Sequence, residues 1–252
     1  MNNFGKMIGL TWLLLAIIIA SSLAFGFGTI VKLIPWSIEK KLAQVYGVPS
    51  SWGVCKGSIA AQKSLDKLVK RIYPVKVGDE KFPLSVEVIN RSEVNAFATL
   101  GGKIYVNRGL LERATSAEEL TGVLAHEIEH VRNRHIMEGM LVHMMTIEGL
   151  RIIASGSVSE ISGNFLHMHF TRSEEELADI EGLSRLQKAK VSPKGIYNFF
   201  KRMESDSTLA ILFSDHPSDQ RRIDRLKPFL EMKSVNVLED RDWEDLKSIC
   251  SL

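Results

Sequence analysis

Within the stretch from Ser116 to Arg134 the chain reads His126-Glu127-Ile128-Glu129-His130. Side chains four apart stand nearly above one another on a helix, so this spacing commits the segment to a helix with both imidazoles on one face. Two such imidazoles can grip one zinc ion while Glu127 stands beside the open coordination position. The flanking residues agree. Ser116-Ala117-Glu118-Glu119 reads as a capping box, with Ser116 as N-cap and Glu119 at the third helical position. Leu120, Val123, Leu124, Ile128 and Val131 recur at helical spacing, which predicts a partly buried helix.

Two histidines and a water leave a tetrahedral zinc one ligand short. The acidic run Glu174-Glu175-Glu176 opens a second predicted helix, with Ser173 as N-cap and Glu176 completing another capping box. On the helical wheel Glu174 shares a face with Glu181, Arg185 and Lys188, a solvent pattern. Glu175 shares its face with Ala178, Asp179, Gly182 and Leu186. Small Ala178 and Gly182 would let this helix approach the first closely. Glu175 is therefore the expected third ligand, and Asp179, one turn on, is expected to accept a hydrogen bond from the far nitrogen of a ligand His. His135, His143, His167 and His169 lack ligand spacing and read as non-ligands.

Met7 to Val31 is an uncharged, Leu-, Ile- and Phe-rich run of 25 residues between Lys6 and Lys32. It is long enough to cross a bilayer with ~30 Å of hydrocarbon, with Trp12 and Trp36 near its ends. A cleaved secretory signal ending at Ser22-Leu23-Ala24 is the competing reading; apolar residues continuing through Phe25, Phe27, Ile30 and Val31 favour an uncleaved anchor. Either way the rest of the chain is exported. The expected placement is a single-pass inner-membrane protein with its domain on the periplasmic or extracytoplasmic side. The whole chain has 32 Lys+Arg and 30 Asp+Glu, and with Lys6 and Lys32 set aside the remainder is balanced. Such balance gives no electrostatic reason to expect nucleic acid. Cys55 and Cys250 form no metal-binding cluster; they can pair in an oxidising compartment or stand as two unrelated thiols.

Beyond residues 1–35, a connector is expected over 36–57, its polar helical part running from Trp36 to Ser51 and ended by Gly47-Val48-Pro49. Ser58–Tyr73 reads as an amphipathic helix stopped by Pro74. Leu84, Val86 and Val88, then Ala96–Leu100, then Ile104–Val106 after Gly101-Gly102 predict a small sheet with a hairpin. Such a sheet offers either an edge strand for an extended peptide or an ordinary core element. Leu141, Met144, Met145, Glu148 and Ile152 suggest an amphipathic helix, and Ser155–Gly163 a loop. Leu226, Phe229 and Leu230 close the core of a domain spanning 58–230, and the tail 231–252 carries a short docking helix around Trp243 and Leu246.

Thr171 to Asp179, downstream of the two histidines, resembles the S-R-x-x-E-x-x-A-D element of the HtpX-like and CAAX-prenyl-endopeptidase-like zinc metallopeptidases. Asn95-Ala96-Phe97, Gly101-Gly102 and Arg108-Gly109-Leu110-Leu111 are similar to another segment of that family, and His216-Pro217 with Arg222 resembles its late H-P…R element. The likeness covers about residues 60–230, with four motifs in the family's order. It places the chain nearest the single-anchor branch, which holds BepA-like periplasmic proteases and the mitochondrial inner-membrane stress protease. It implies one zinc ion per chain on His126, His130 and Glu175, with Glu127 as general base. His216 would stabilise the tetrahedral intermediate, and Arg222 would partner acidic groups near the site. Thr171 and Glu129 depart from the family's pattern, and Glu129 is expected to face solvent.

The expected fold is α+β: a mainly helical zincin-type metallopeptidase domain with a small β-sheet, plus one N-terminal transmembrane helix. The function implied is a membrane-anchored zinc endopeptidase acting on misfolded or membrane-associated polypeptides, with the bilayer met through residues 7–31. An alternative is a membrane-anchored chaperone or assembly factor that binds unfolded segments and cleaves little. Prenyl-protein processing fits less well, because the members doing that work have several membrane spans.

Overall fold

The structure is a computed structural model that describes residues 27–74, 82–146, 170–205 and 220–251. Its elements in chain order are α1 (Phe27–Val31), α2 (Trp36–Val45), α3 (Ile59–Ile72), β1 (Ser85–Ile89), β2 (Ala96–Thr99), β3 (Lys103–Asn107) and α4 (Arg108–Arg113). There follow α5 (Ala117–Asn133), α6 (His135–Met144), α7 (Arg172–Ala189), α8 (Lys194–Ser205), α9 (Gln220–Leu226) and α10 (Asp240–Lys247). The mainly helical domain with a small sheet thus agrees with the expectation. Among the described residues no helix is long and apolar enough to cross a membrane. The anchor expected at 7–31 falls almost wholly outside them, as do the loop at 155–163, His167, His169 and His216.

Helix α5 is the centre of the core. Leu120, Leu124 and Ile128 are fully buried, as are Leu68 of α3 and Ile104 of β3. Each such side chain contributes roughly 1.5–3 kcal/mol by leaving water. Helix α7 crosses α5 where both are small: a Cβ on Gly182 would lie 3.3 Å from the Ala125 carbonyl oxygen and the His126 nitrogen. The close approach expected from Ala178 and Gly182 is what brings α7 within reach of the histidines. On the other flank a Cβ on Gly122 would meet Ile196 of α8 at 2.5 Å.

The sheet order is β1-β3-β2, with β1 parallel and β2 antiparallel to β3, so β2 is an edge strand. Gly101 and Gly102 turn the hairpin at φ 76° and 81°, which L side chains rarely adopt. The Asn95 carbonyl accepts from the Asn107 amide at 2.9 Å, so odd positions of β2 pair inward while Ala96 and Ala98 turn their backbone groups to the open edge.

Cys55 and Cys250 are disulfide-bonded, with Cα atoms 4.9 Å apart. This resolves the choice left open by sequence and fastens the tail helix α10 beside α3, where Leu246 is buried.

Candidate metal centre

The site grows from α5. Ser116 caps it by accepting from the Glu119 amide at 3.3 Å. The second half of the expected box is replaced: Glu119 turns back to the Thr115 amide and also meets Arg202 of α8. Seventeen residues of helix then carry His126 and His130 into the interior. Their Nε2 atoms lie 3.0 Å apart. Glu175 of α7 faces both, with Oε1 3.4 Å from His130 Nε2 and Oε2 3.5 Å from His126 Nε2.

Helix α7 begins two residues earlier than its acidic run suggested. Its N-cap is Thr171, which accepts from the Glu174 amide while Glu174 reaches back to the Thr171 amide. The expected Ser173–Glu176 box is therefore corrected to Thr171–Glu174. Starting at Thr171 sets two more helical residues ahead of Glu175 and closes both halves of the box. The buried face of α7 is the one expected, with Glu175, Ala178, Gly182 and Leu186 turned in.

The outer ring nitrogens fix which lone pairs point at the cluster. His126 Nδ1 lies 3.0 Å from Asp179 Oδ1, so the carboxylate takes the Nδ1 hydrogen and leaves Nε2 as a donor of electrons. Arg222 of α9 grips Asp179 through two hydrogen bonds of 2.8 Å and lies 3.4 Å from Glu175 Oε2. Burial opposes charging the His126 ring, but hydrogen bonds to Asp179 and Glu175 outweigh it and push the ring up to about 9. Asp179 is itself held below the usual carboxylate range: burial works against this, and the Arg222 charge together with the His126 contact prevails.

These residues fit a divalent cation. Bonds of ~2.0–2.1 Å at tetrahedral angles put ligand atoms about 3.3 Å apart, close to the spacings found here. His126, His130 and Glu175 are the group among the described residues able to hold a metal ion. Glu127, Glu175 and Asp179 all act on the buried Arg222 guanidinium, and Asp179 also meets Arg225 at 3.5 Å. Glu127 is buried beside the ligands, and its Oε2 accepts from the Ala98 amide of the edge strand at 3.0 Å.

Three features escaped the sequence reading. His135 is no member of the metal cluster, yet its Nδ1 lies 2.9 Å from His130 Nδ1. Five residues after His130 is no helical neighbour, so only a helix break signals the contact, and Arg134 (φ 62°) makes that break without a glycine to announce it. Phe170 stacks on the His130 ring at 3.9 Å between centroids. Ala98 acts through its backbone, which side-chain patterns cannot reveal. Glu129 corrects an expectation: it is buried, not solvent-facing, between Arg132 and Arg185. Those cations, with Glu181 on Arg132, turn part of the supposed solvent face of α7 into a link with α5.

The family model described as Peptidase family M48 matches residues 60–229. The chain belongs to that family. Among curated M48-like relatives, the putative beta-barrel assembly-enhancing protease of Vibrio cholerae is 29% identical over 182 residues, 63% of this chain and 37% of the relative. The mitochondrial metalloendopeptidase OMA1 of Schizosaccharomyces pombe is 30% identical over 184 residues, 68% of this chain and 53% of the relative. The metalloprotease LoiP of Escherichia coli is 27% identical over 158 residues, 58% and 62% of the two chains. In each case this M48 chain spans less than two thirds of the relative's length. The motif-based resemblance is accounted for by that membership.

Proposed function

We propose that this M48 chain is a membrane-anchored, zinc-dependent metalloendopeptidase that hydrolyses peptide bonds of misfolded or membrane-associated proteins. The observation that carries the reading is the convergence of His126, His130 and Glu175 beside Glu127, whose carboxylate is held by the edge strand. Zinc, when bound by those three side chains, would supply an acidified water and a polarised scissile carbonyl. Glu127 accepts the water's proton and returns it to the leaving amine nitrogen, completing hydrolysis with no other reactant. The side of β2 away from β3 offers the Ala96 backbone groups and the Ala98 carbonyl to an extended substrate, beside Glu127, which holds the Ala98 amide. Asp179 and Arg222 orient His126 and balance Glu175. The resemblance adds His216 as stabiliser of the tetrahedral intermediate; His216→Ala should lower kcat and leave metal content unchanged.

Placement in an inner membrane through residues 7–31, with the domain on the periplasmic or extracytoplasmic side, is supported by the Cys55–Cys250 disulfide, since such bonds persist in oxidising compartments. The names of the V. cholerae and S. pombe relatives support a role in protein quality control. Purified native protein should hold one zinc per chain and cleave casein. Glu127→Gln should keep the metal and lose at least ~100-fold in cleavage; undiminished cleavage by that variant would sink the proposal. A client-rescue assay with the same variant separates the chaperone alternative, which predicts full rescue without cleavage.

A further inference from the structure

Helix α2 has two unlike faces. Inward, Glu39 is only 2% exposed; its Oε2 takes hydrogen bonds from Arg134 at 3.0 and 2.6 Å, and its Oε1 takes the Gly101 amide at 2.9 Å. One carboxylate thus joins the turn of the β2–β3 hairpin to the residue that ends α5. Trp36 extends the clamp, lying 4.3 Å beneath the Arg134 guanidinium. Outward, Ile38 is 46% and Val45 52% exposed, seven residues apart and so on one face, and Leu33 just ahead of the helix is 79% exposed. Lys32, Lys40 and Lys41 are exposed among them. Glu39 is the one acidic residue between positions 27 and 46, and it points the other way.

An apolar strip flanked by lysines is ill-suited to water and well suited to the headgroup boundary of an anionic bilayer. We propose that α2 lies on the surface of the membrane entered by residues 7–31, its Ile38–Val45 face against lipid and its Glu39 face holding the hairpin and α5. The inference rests on the anchor reading for the apolar run. Helix α1 belongs to the domain, with Val31 fully buried and Gly28 against Glu138 of α6. The stretch from Phe27 to Trp36 is thus the link to the bilayer: five helical residues, about 7.5 Å, and residues 32–35, at most ~14 Å. Helix α2 therefore starts near the headgroup layer. The bilayer seat sets the height of the cleft: β2 and its hairpin stand about one helix diameter, ~10–12 Å, from the lipid. The substrates this favours are unfolded segments tethered to, or emerging at, the same membrane face.

The test uses the full chain in vesicles of phosphatidylcholine and phosphatidylglycerol, with an environment-sensitive fluorophore on a single engineered cysteine at Ile17, Ile38, Val45 or Ile59. The native cysteines are protected as a disulfide. Headgroup-level spin-labelled lipid should quench positions 38 and 45 and spare Ile59, which is exposed at the start of α3. A deep spin label should quench position 17. Quenching at 17 but not at 38 and 45 overturns the seating of α2 alone; no quenching at 17 overturns the anchor reading and this inference with it. In parallel, the double variant Ile38→Glu/Val45→Glu should cleave casein at the native rate, which also reports correct folding. It should cleave a lipid-tethered peptide about fivefold more slowly, because the local concentration advantage is lost. Equal slowing on both substrates, or on neither, contradicts the proposal.

Discussion

The Nδ1 atoms of His130 and His135 lie 2.9 Å apart, with both rings buried. Two ring nitrogens at that distance share one hydrogen. When His130 turns Nε2 to a cation the hydrogen sits on its Nδ1, and His135 must accept it as a neutral ring. Burial pushes His135 below its ordinary value and keeps it neutral. His126 is thus oriented by a carboxylate and His130 by an uncharged ring. Replacing His135 with Phe should weaken metal binding ~10–100-fold. His135→Asn, whose Oδ1 can accept, should recover part of the loss. Competition with a chromogenic chelator measures both, and equal affinity in the two variants would contradict the assignment.

Arg222 supports the site in the absence of metal by standing between Asp179 and Glu175. Removing it takes the buried guanidinium from Glu175 and leaves Asp179 with Arg225 and His126, at a cost of about 3–5 kcal/mol. Metal-free Arg222→Leu should therefore melt about 6–20 °C below native in calorimetry, and a divalent ion should restore much of the difference. An unchanged melting temperature for the metal-free variant would argue against this balance of charge.

Ala98→Pro removes the backbone hydrogen that β2 donates to Glu127, at an edge position where the ring does not disturb pairing with β3. Metal content should stay at the native level while cleavage of peptide falls by about tenfold or more. A variant with native kcat/KM would show that Glu127 is positioned without the strand.

The Cys55–Cys250 bond closes a loop across 195 positions. Cys55→Ser/Cys250→Ser should lose about 2–5 kcal/mol in denaturant unfolding. The native protein with reductant should match it, whereas a midpoint insensitive to both would mean that α10 is held by packing alone.

Much of the site was legible because its signals are local. His126, Glu127 and His130 follow from a spacing of four, and Glu175 from the small residues that share its face. The three strands and the α3 helix were readable from changes of period between Ile59 and Val106. What sequence did not disclose depends on chain crossings. Glu129 looks exposed on its own helix and becomes buried because α7 brings Arg185 over it. The choice of Thr171 over Ser173 as cap is an equilibrium between two adequate residues two positions apart, which pattern alone does not decide. Glu39 reads as an ordinary charge on a polar connector, and its partners lie 62 and 95 residues away.

Arg134 divides what would otherwise be one rod of helix from Ala117 to Met144. Along an unbroken α-helix, residues five apart are turned about 140° from one another, and His135 would face away from His130. The left-handed residue costs roughly 1–2 kcal/mol, which the Glu39 and Ile34 contacts of its guanidinium offset. The bend is thus a latch. Whatever straightens it disengages His135 from its ligand, and whatever grips Arg134 from the α2 side keeps the centre assembled.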